Sequence, residues 1–150
     1  MGNAPEIPFL ILDTSVVLKW FLEKGEADVA KARRLRQDFL SGRCMLGAPD
    51  LMLLEVANAL TAGHRANPQD VSEAIASILD IGIELFELQL PALVKAVEIA
   101  SASGSAVYDS YFLAVAIESG GLLVTADESF VRRVKAETNV KSLRDIRLPE

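Results

Sequence analysis

At 150 residues, with 51% hydrophobic and 24% charged residues, the chain has the size and composition of one ordinary globular domain spanning 1–150, with no low-complexity tract. Its apolar runs are broken by Lys19, Glu55 or Asp109 well short of the roughly 18 residues a membrane span needs, and residues 1–8 lack a basic start and an apolar signal core, so a cytoplasmic protein is expected. A lone cysteine, Cys44, excludes an internal disulfide or a cysteine zinc cluster, and a lone histidine, His64, makes a His-based triad or His-rich metal site a poor candidate.

In chain order, Phe9-Leu-Ile-Leu-Asp13 reads as a first strand over about 8–13, and Thr14-Ser15 opens a helix to about Glu23. Gly25 marks a turn, and Val29, Ala32, Leu35, Arg36 and Phe39 give the stripe of a helix over about 26–40. Cys44-Met-Leu-Gly is a short strand, and Pro49 suits the first position of a helix that carries Glu55 and runs to about Ala66. A helix over about 69–80 ends near Gly82, and Ile83-Glu-Leu-Phe-Glu-Leu alternates as a strand does. A helix over 91–101 leads into Ser101-Ala-Ser-Gly-Ser, the clearest loop, where Ser105 is placed to cap a helix over 107–118. Gly120-Gly121 resets the chain into the strand Leu122-Leu-Val, followed by a helix over 127–137 and a short strand over 140–143. Strands alternating with helices, two of them almost wholly apolar, predict a three-layer α/β/α sandwich around a parallel sheet.

Asp13 closes the first strand and Asp127 the run Gly121-Leu-Leu-Val-Thr-Ala-Asp127, so in one parallel sheet both carboxylates reach the carboxyl edge, where open α/β sheets hold ligands. Glu55 and Asp109 interrupt apolar helices. Each acid has an ordinary reading: Asp13 and Asp127 as helix caps, Asp109 as a complement to a helix dipole, Glu55 as a solvent-facing edge. Glu55, however, has Leu51, Met52, Asn58 and Ala59 as helical neighbours and no basic partner, and a buried unpaired anion protonates or finds a cation. Four such acids without Lys or Arg beside them point to a divalent ion held by oxygen, Mg²⁺ or Mn²⁺. The net charge of −6 opposes general attraction to phosphate, an objection that weakens if the acids gather around metal.

These four segments carry a resemblance. Leu12-Asp13-Thr14-Ser15, Glu55-Val-Ala-Asn58-Ala-Leu60, Tyr108-Asp109-Ser-Tyr-Phe-Leu-Ala114 and Thr125-Ala-Asp127 resemble, in order and spacing, the acidic blocks of PIN-domain ribonucleases, particularly the VapC-like toxins. The resemblance implies a PIN-like fold and a Mg²⁺- or Mn²⁺-dependent endoribonuclease. It also implies a homodimer and a small antitoxin that occupies the active site. Asp13, Glu55 and Asp109 match the three principal acids and Asp127 the fourth, with Glu128 beside it offering the same chemistry. Thr14, Ser15, Asn58 and Thr125 match polar positions that orient ligands or water. On this reading Asp13 and Asp109 hold a metal, Asp127 a metal or a second ion, and Glu55 orients or deprotonates the water that attacks an RNA phosphodiester.

The basic clusters Lys31, Arg33, Arg34, Arg36 and Arg132, Arg133, Lys135 could guide RNA, but such clusters are more often solvated helix faces. Tyr108, Tyr111, Phe112 and Trp20 read as core in preference to base-stacking platforms, and His64 as a surface group. Two competing functions remain: a catalytically silent PIN-fold binding or scaffold module, and an aspartate-dependent phosphoryl-transfer domain. The second is disfavoured because Ser15 stands where a haloacid-dehalogenase-type phosphatase needs its second Asp, and because the acid pair and late Lys of a receiver domain are missing.

Overall fold

The computed structural model describes residues 7–22 and 27–147; the expected helix end at Glu23, turn at Gly25 and helix start at Glu26 lie outside them. Five parallel strands, β1 (Phe9–Leu12), β2 (Met45–Pro49), β3 (Glu84–Phe86), β4 (Leu122–Thr125) and β5 (Val140–Ser142), form one sheet in the order β3-β2-β1-β4-β5. The central strand is β1, whose Ile11 and Leu12 are wholly buried, as are Leu123 and Val124 of its neighbour β4. Strands covered on both faces need apolar side chains at consecutive positions, which explains why Leu10-Ile-Leu and Leu123-Val do not alternate.

Among the described residues seven helices accompany the sheet: α1 (Thr14–Leu18), α2 (Val29–Leu40), α3 (Leu51–Asn58), α4 (Pro68–Ile81), α5 (Leu90–Ser103), α6 (Val107–Ser119) and α7 (Glu128–Arg133), giving the expected α/β/α sandwich. Helix α6 packs on β1, β2 and β4 and against α5. Every residue from Ser110 to Ala116 is buried, so α6 is apolar nearly all round. From β1 the chain proceeds to β2 and β3 on one side and reaches β4 on the other. The crevice between β1 and β4 is therefore the topological switch point, the place where such sheets bind ligands.

Several boundaries differ from those read in the sequence. Helix α1 stops at Leu18 and tightens into a 3-10 turn over Lys19–Phe21. Pro49 ends β2 instead of opening α3: its carbonyl edge runs beside Phe86 of β3, and Asp50 precedes the helix. After Asn58 the helix widens into a π-helical turn over Ala59–Gly63. The strand expected over 83–88 is only three residues long at the sheet edge, and α7 ends at Arg133. Ser101-Ala-Ser is not loop: α5 continues to Ser103 and stops at Gly104, whose φ of 72° is the left-handed helix stop that glycine permits. Ser105 does not cap α6 either; Ala106 is the cap residue, and the Ser105 hydroxyl is buried without a hydrogen-bond partner.

Candidate functional site

The two strand-end acids flank the crevice. Because β1 and β4 are paired in register, with Leu12 opposite Val124, Asp13 and the Thr125-Ala-Asp127 segment leave the sheet at the same level, and the Asp13 amide donates to the Val124 carbonyl at 3.0 Å. The Asp13 carboxylate also caps α1: its Oδ2 accepts from the Ser15 amide at 3.3 Å, the Ser15 hydroxyl at 2.5 Å and the Thr125 hydroxyl at 3.1 Å. The Ser15 hydroxyl in turn accepts from the Ala126 amide at 3.0 Å, and the Thr125 hydroxyl from the Asp127 amide at 3.0 Å. One hydrogen-bonded chain thus ties both strand ends together and, among the described residues, leaves Asp13 Oδ1 without a hydrogen bond. The capping reading of Asp13 is met by Oδ2.

Asp127 starts α7, accepting the Phe130 amide on Oδ1 at 3.0 Å. Glu128 is engaged elsewhere: its carboxylate takes a salt bridge from Arg144 at 3.1 Å and the Ser142 hydroxyl at 3.2 Å, facing β5. This separates the two neighbours that sequence left interchangeable. Glu55 projects from α3 toward α1, half-buried, with its Oε1 accepting the Thr14 hydroxyl at 2.7 Å. Asp109 lies in the exposed first turn of α6, where its charge also complements the helix dipole.

The electrostatics show that these acids share one neighbourhood. Burial pushes the Asp13 carboxyl above the usual carboxylate range against the pull of its Ser15 and Thr125 hydrogen bonds, and the charge of Asp127 pushes it further. Glu55 is raised by burial and by the charges of Asp13 and Asp109, opposed by the Thr14 hydroxyl. Asp109 is raised by partial desolvation and by Asp13 and Asp127, with Arg133 opposing. Like charges that disfavour one another's ionised form are the condition a bound cation relieves.

The donors suit such an ion: hard carboxylate oxygens, one strand-end oxygen left free, and hydroxyls that fix the others. Among the described residues, however, no three Asp, Glu, His or Cys side chains stand close enough together to grip an ion directly. An ion here would take one or two carboxylates and keep water in its remaining positions, as Mg²⁺ prefers. The four acids therefore stand more loosely together than the sequence suggested.

Of the hydroxyl and amide residues singled out by sequence, Thr14, Ser15 and Thr125 hold carboxylates, whereas Asn58 holds none and lines the cleft with Thr14, Leu51, Leu54, Glu55 and Tyr108. The first basic cluster belongs to the fold: Lys31 and Arg33 donate to the carbonyls of Arg144 and Leu22, Arg34 pairs with buried Asp38, and Arg36 lies over the Trp20 ring. Arg133 of the second cluster reaches the field of Asp109. Trp20, Tyr111 and Phe112 are core as expected, but Tyr108 is 66% exposed beside Asp109. Its place in the first turn, before the continuous buried run from Ser110, was the available signal. His64 is a surface residue.

A parallel α/β sheet with acids gathered at its switch point defines a class of carboxylate-lined α/β domains. The PIN domain family matches residues 10–136, and the chain belongs to that family. The fold is similar to that of a toxin-antitoxin complex from Klebsiella pneumoniae, with 14% identity and a TM-score of 0.63 over 91% of this chain and 99% of the other. It is also similar to PAE2754 from Pyrobaculum aerophilum, with 20% identity and a TM-score of 0.62 over 92% and 90% of the two chains. VapC20 of Mycobacterium tuberculosis, a sarcin-ricin loop cleaving toxin, aligns at 17% identity and a TM-score of 0.62 over 81% and 94%. No curated protein sequence matches at comparable significance.

Proposed function

We propose that the chain is a Mg²⁺- or Mn²⁺-dependent endoribonuclease and the toxin of a toxin-antitoxin pair. The observation that carries the reading is the linked set of acids in a PIN fold: Asp13 and Asp109 act on Glu55, Asp13 and Asp127 on Asp109, and Asp127 on Asp13, whose carboxylate is tied to the β4 end through Thr125. An idle cluster of this kind destabilises the fold, which favours a working site over a silent scaffold. Similarity to VapC20 and to a toxin-antitoxin complex supports RNA as the substrate and a small antitoxin as a partner.

Asp13, through its free Oδ1, and Asp109 would hold the metal, and Asp127 would contribute on the far side of the crevice. A bound Mg²⁺ or Mn²⁺ supplies a water of lowered pKa and charge that offsets the phosphoryl oxygens during in-line displacement. Glu55, with Oε1 fixed by Thr14, would orient the attacking water and accept its proton on Oε2. Ser15 and Thr125 hold Asp13 in its rotamer. The products would carry a 5′-phosphate and a 3′-hydroxyl. The protein would act in the cytoplasm as a homodimer; the exposed outer face of α5, with Leu90, Val94 and Val97, supports a second copy as partner.

The test is cleavage of purified total RNA with Mg²⁺ or Mn²⁺ and with chelator, by the unaltered chain and by Asp13→Asn and Asp109→Asn. Metal-dependent cleavage lost in both folded variants is expected. Cleavage that survives either chelation or both substitutions sinks the assignment.

A further inference from the structure

The open cleft beside Glu55 has a volume of about 590 Å³ and is only partly acidic. Leu51, Leu54, Glu55 and Asn58 fall at helical spacing on one stripe of α3, and Tyr108, from the first turn of α6, faces them across the cleft. Leu54 and Tyr108 are 70% and 66% exposed. They line one hollow with the exposed Leu88 and Val107, and a contiguous exposed apolar patch, unlike a single exposed side chain, marks a binding surface. Among the described residues neither the Asn58 carboxamide nor the Tyr108 hydroxyl has a hydrogen-bond partner, so both can serve a ligand. The apolar lining continues past Tyr108 into a second hollow of about 430 Å³ walled by Leu54, Leu88 and Val107.

We propose that Tyr108, with Leu51, Leu54 and Asn58, forms a subsite that stacks one unpaired nucleobase of the RNA, next to the phosphate engaged at Glu55 and Asp109. The proposal rests on the nuclease reading and adds a specificity determinant to it. Tyr108 directly precedes Asp109 in the chain, and Leu54 precedes Glu55, so each exposed apolar group stands one residue from an acid, and Glu55 lines the cleft with them. The acids suit a metal-bridged phosphate and the apolar groups suit a base face, the two alternating parts of a nucleotide. A base within a duplex is already stacked on its neighbours, so the subsite selects unpaired RNA. The Asn58 carboxamide, one helical turn beyond Leu54, can both donate to and accept from a base edge.

The test uses Asp13→Asn protein to prevent cutting, with Mg²⁺, and fluorescein-labelled unpaired ten-nucleotide RNAs in which a single abasic ribose is moved along the strand. Fluorescence anisotropy should show one position where the missing base weakens binding by about 5- to 150-fold, the range for stacking on a protein aromatic. Adding Tyr108→Ala should weaken the intact strand by a similar factor and flatten the positional profile, whereas Tyr108→Phe and Tyr108→Trp should keep it. A flat profile before the Tyr108 change, or a profile that survives Tyr108→Ala, overturns the subsite. If sedimentation velocity shows Tyr108→Ala converting a dimer to monomer, the ring belongs to a contact between copies and the proposal also fails. When the unaltered chain cuts RNA but the profile is flat, the subsite alone is wrong; absence of any cutting removes the nuclease reading with it.

Discussion

Thr14→Val isolates the contribution of one hydroxyl to the candidate general base. The Thr14 hydroxyl donates to Glu55 Oε1 at 2.7 Å, a charge-assisted contact that stabilises the ionised form and opposes the upward push from burial and from Asp13 and Asp109. Valine has nearly the same shape, so the main loss is the hydrogen bond. Bonds to charged groups contribute about 1.5–3 kcal/mol, and the half-buried, partly solvated position of Glu55 argues for a value at or just below that range, roughly 1–1.5 kcal/mol. If deprotonated Glu55 is required, kcat/KM of Thr14→Val on the acidic limb of the pH profile should fall about 5- to 12-fold. Toward alkaline pH, where Glu55 ionises without help, the deficit should shrink. The assay is initial-rate cleavage of a fluorogenic RNA from pH 5 to 9 at fixed Mn²⁺. A deficit that stays constant across the range, or that grows with pH, refutes the role given to this contact.

Three other outcomes follow from the same geometry. Asp109 has a raised pKa and, among the described residues, no hydrogen bond to lose, so in chelator Asp109→Asn should melt higher than the unaltered chain at pH 7.5. With folded values above the unfolded ones, the stability these carboxyls contribute is complete below about pH 4 and is lost as pH rises through the raised values; the advantage of Asp109→Asn should therefore vanish near pH 4, and a constant gap would contradict the sign. Asp127→Asn should reduce cleavage while Glu128→Gln leaves it intact, because Glu128 pairs with Arg144 outside the crevice; the reverse result in an RNA cleavage assay would reassign the fourth acid. Gly47→Ala should lower Tm by roughly 2–10 °C in calorimetry, since a Cβ there would stand 3.0 Å from the Phe86 ring, 3.1 Å from the Phe9 ring and 3.1 Å from the Glu84 carbonyl, an overpacking that costs about 1–3 kcal/mol; an unchanged Tm would show that β2 and β3 separate easily.

The placement of Asp13 and Asp127 was legible because apolar runs ending in an acid have one reading in a parallel sheet, and β1 and β4 proved to be neighbours. Glu55 was legible through the absence of a basic helical neighbour. The short edge strand β3 and the π-helical turn after Asn58 were less so, because three-residue pairing and a widened helix depend on what packs beside them. Ser101-Ala-Ser reads as loop by composition, yet packing of α5 on α6 carries the helix through it. Glu128 and Asp127 look equivalent in one dimension, and only the position of β5 beside α7 assigns Glu128 to Arg144. Tyr108 shares its spacing with core aromatics, but the first turn of α6 projects beyond the core.

The most direct measurement is anomalous diffraction from crystals soaked in Mn²⁺. A peak about 2.0–2.3 Å from Asp13 Oδ1 or an Asp109 carboxylate oxygen, within water-bridged reach of Glu55, is the predicted result. Strong density elsewhere on the molecule, with the crevice between β1 and β4 holding only water, would contradict it.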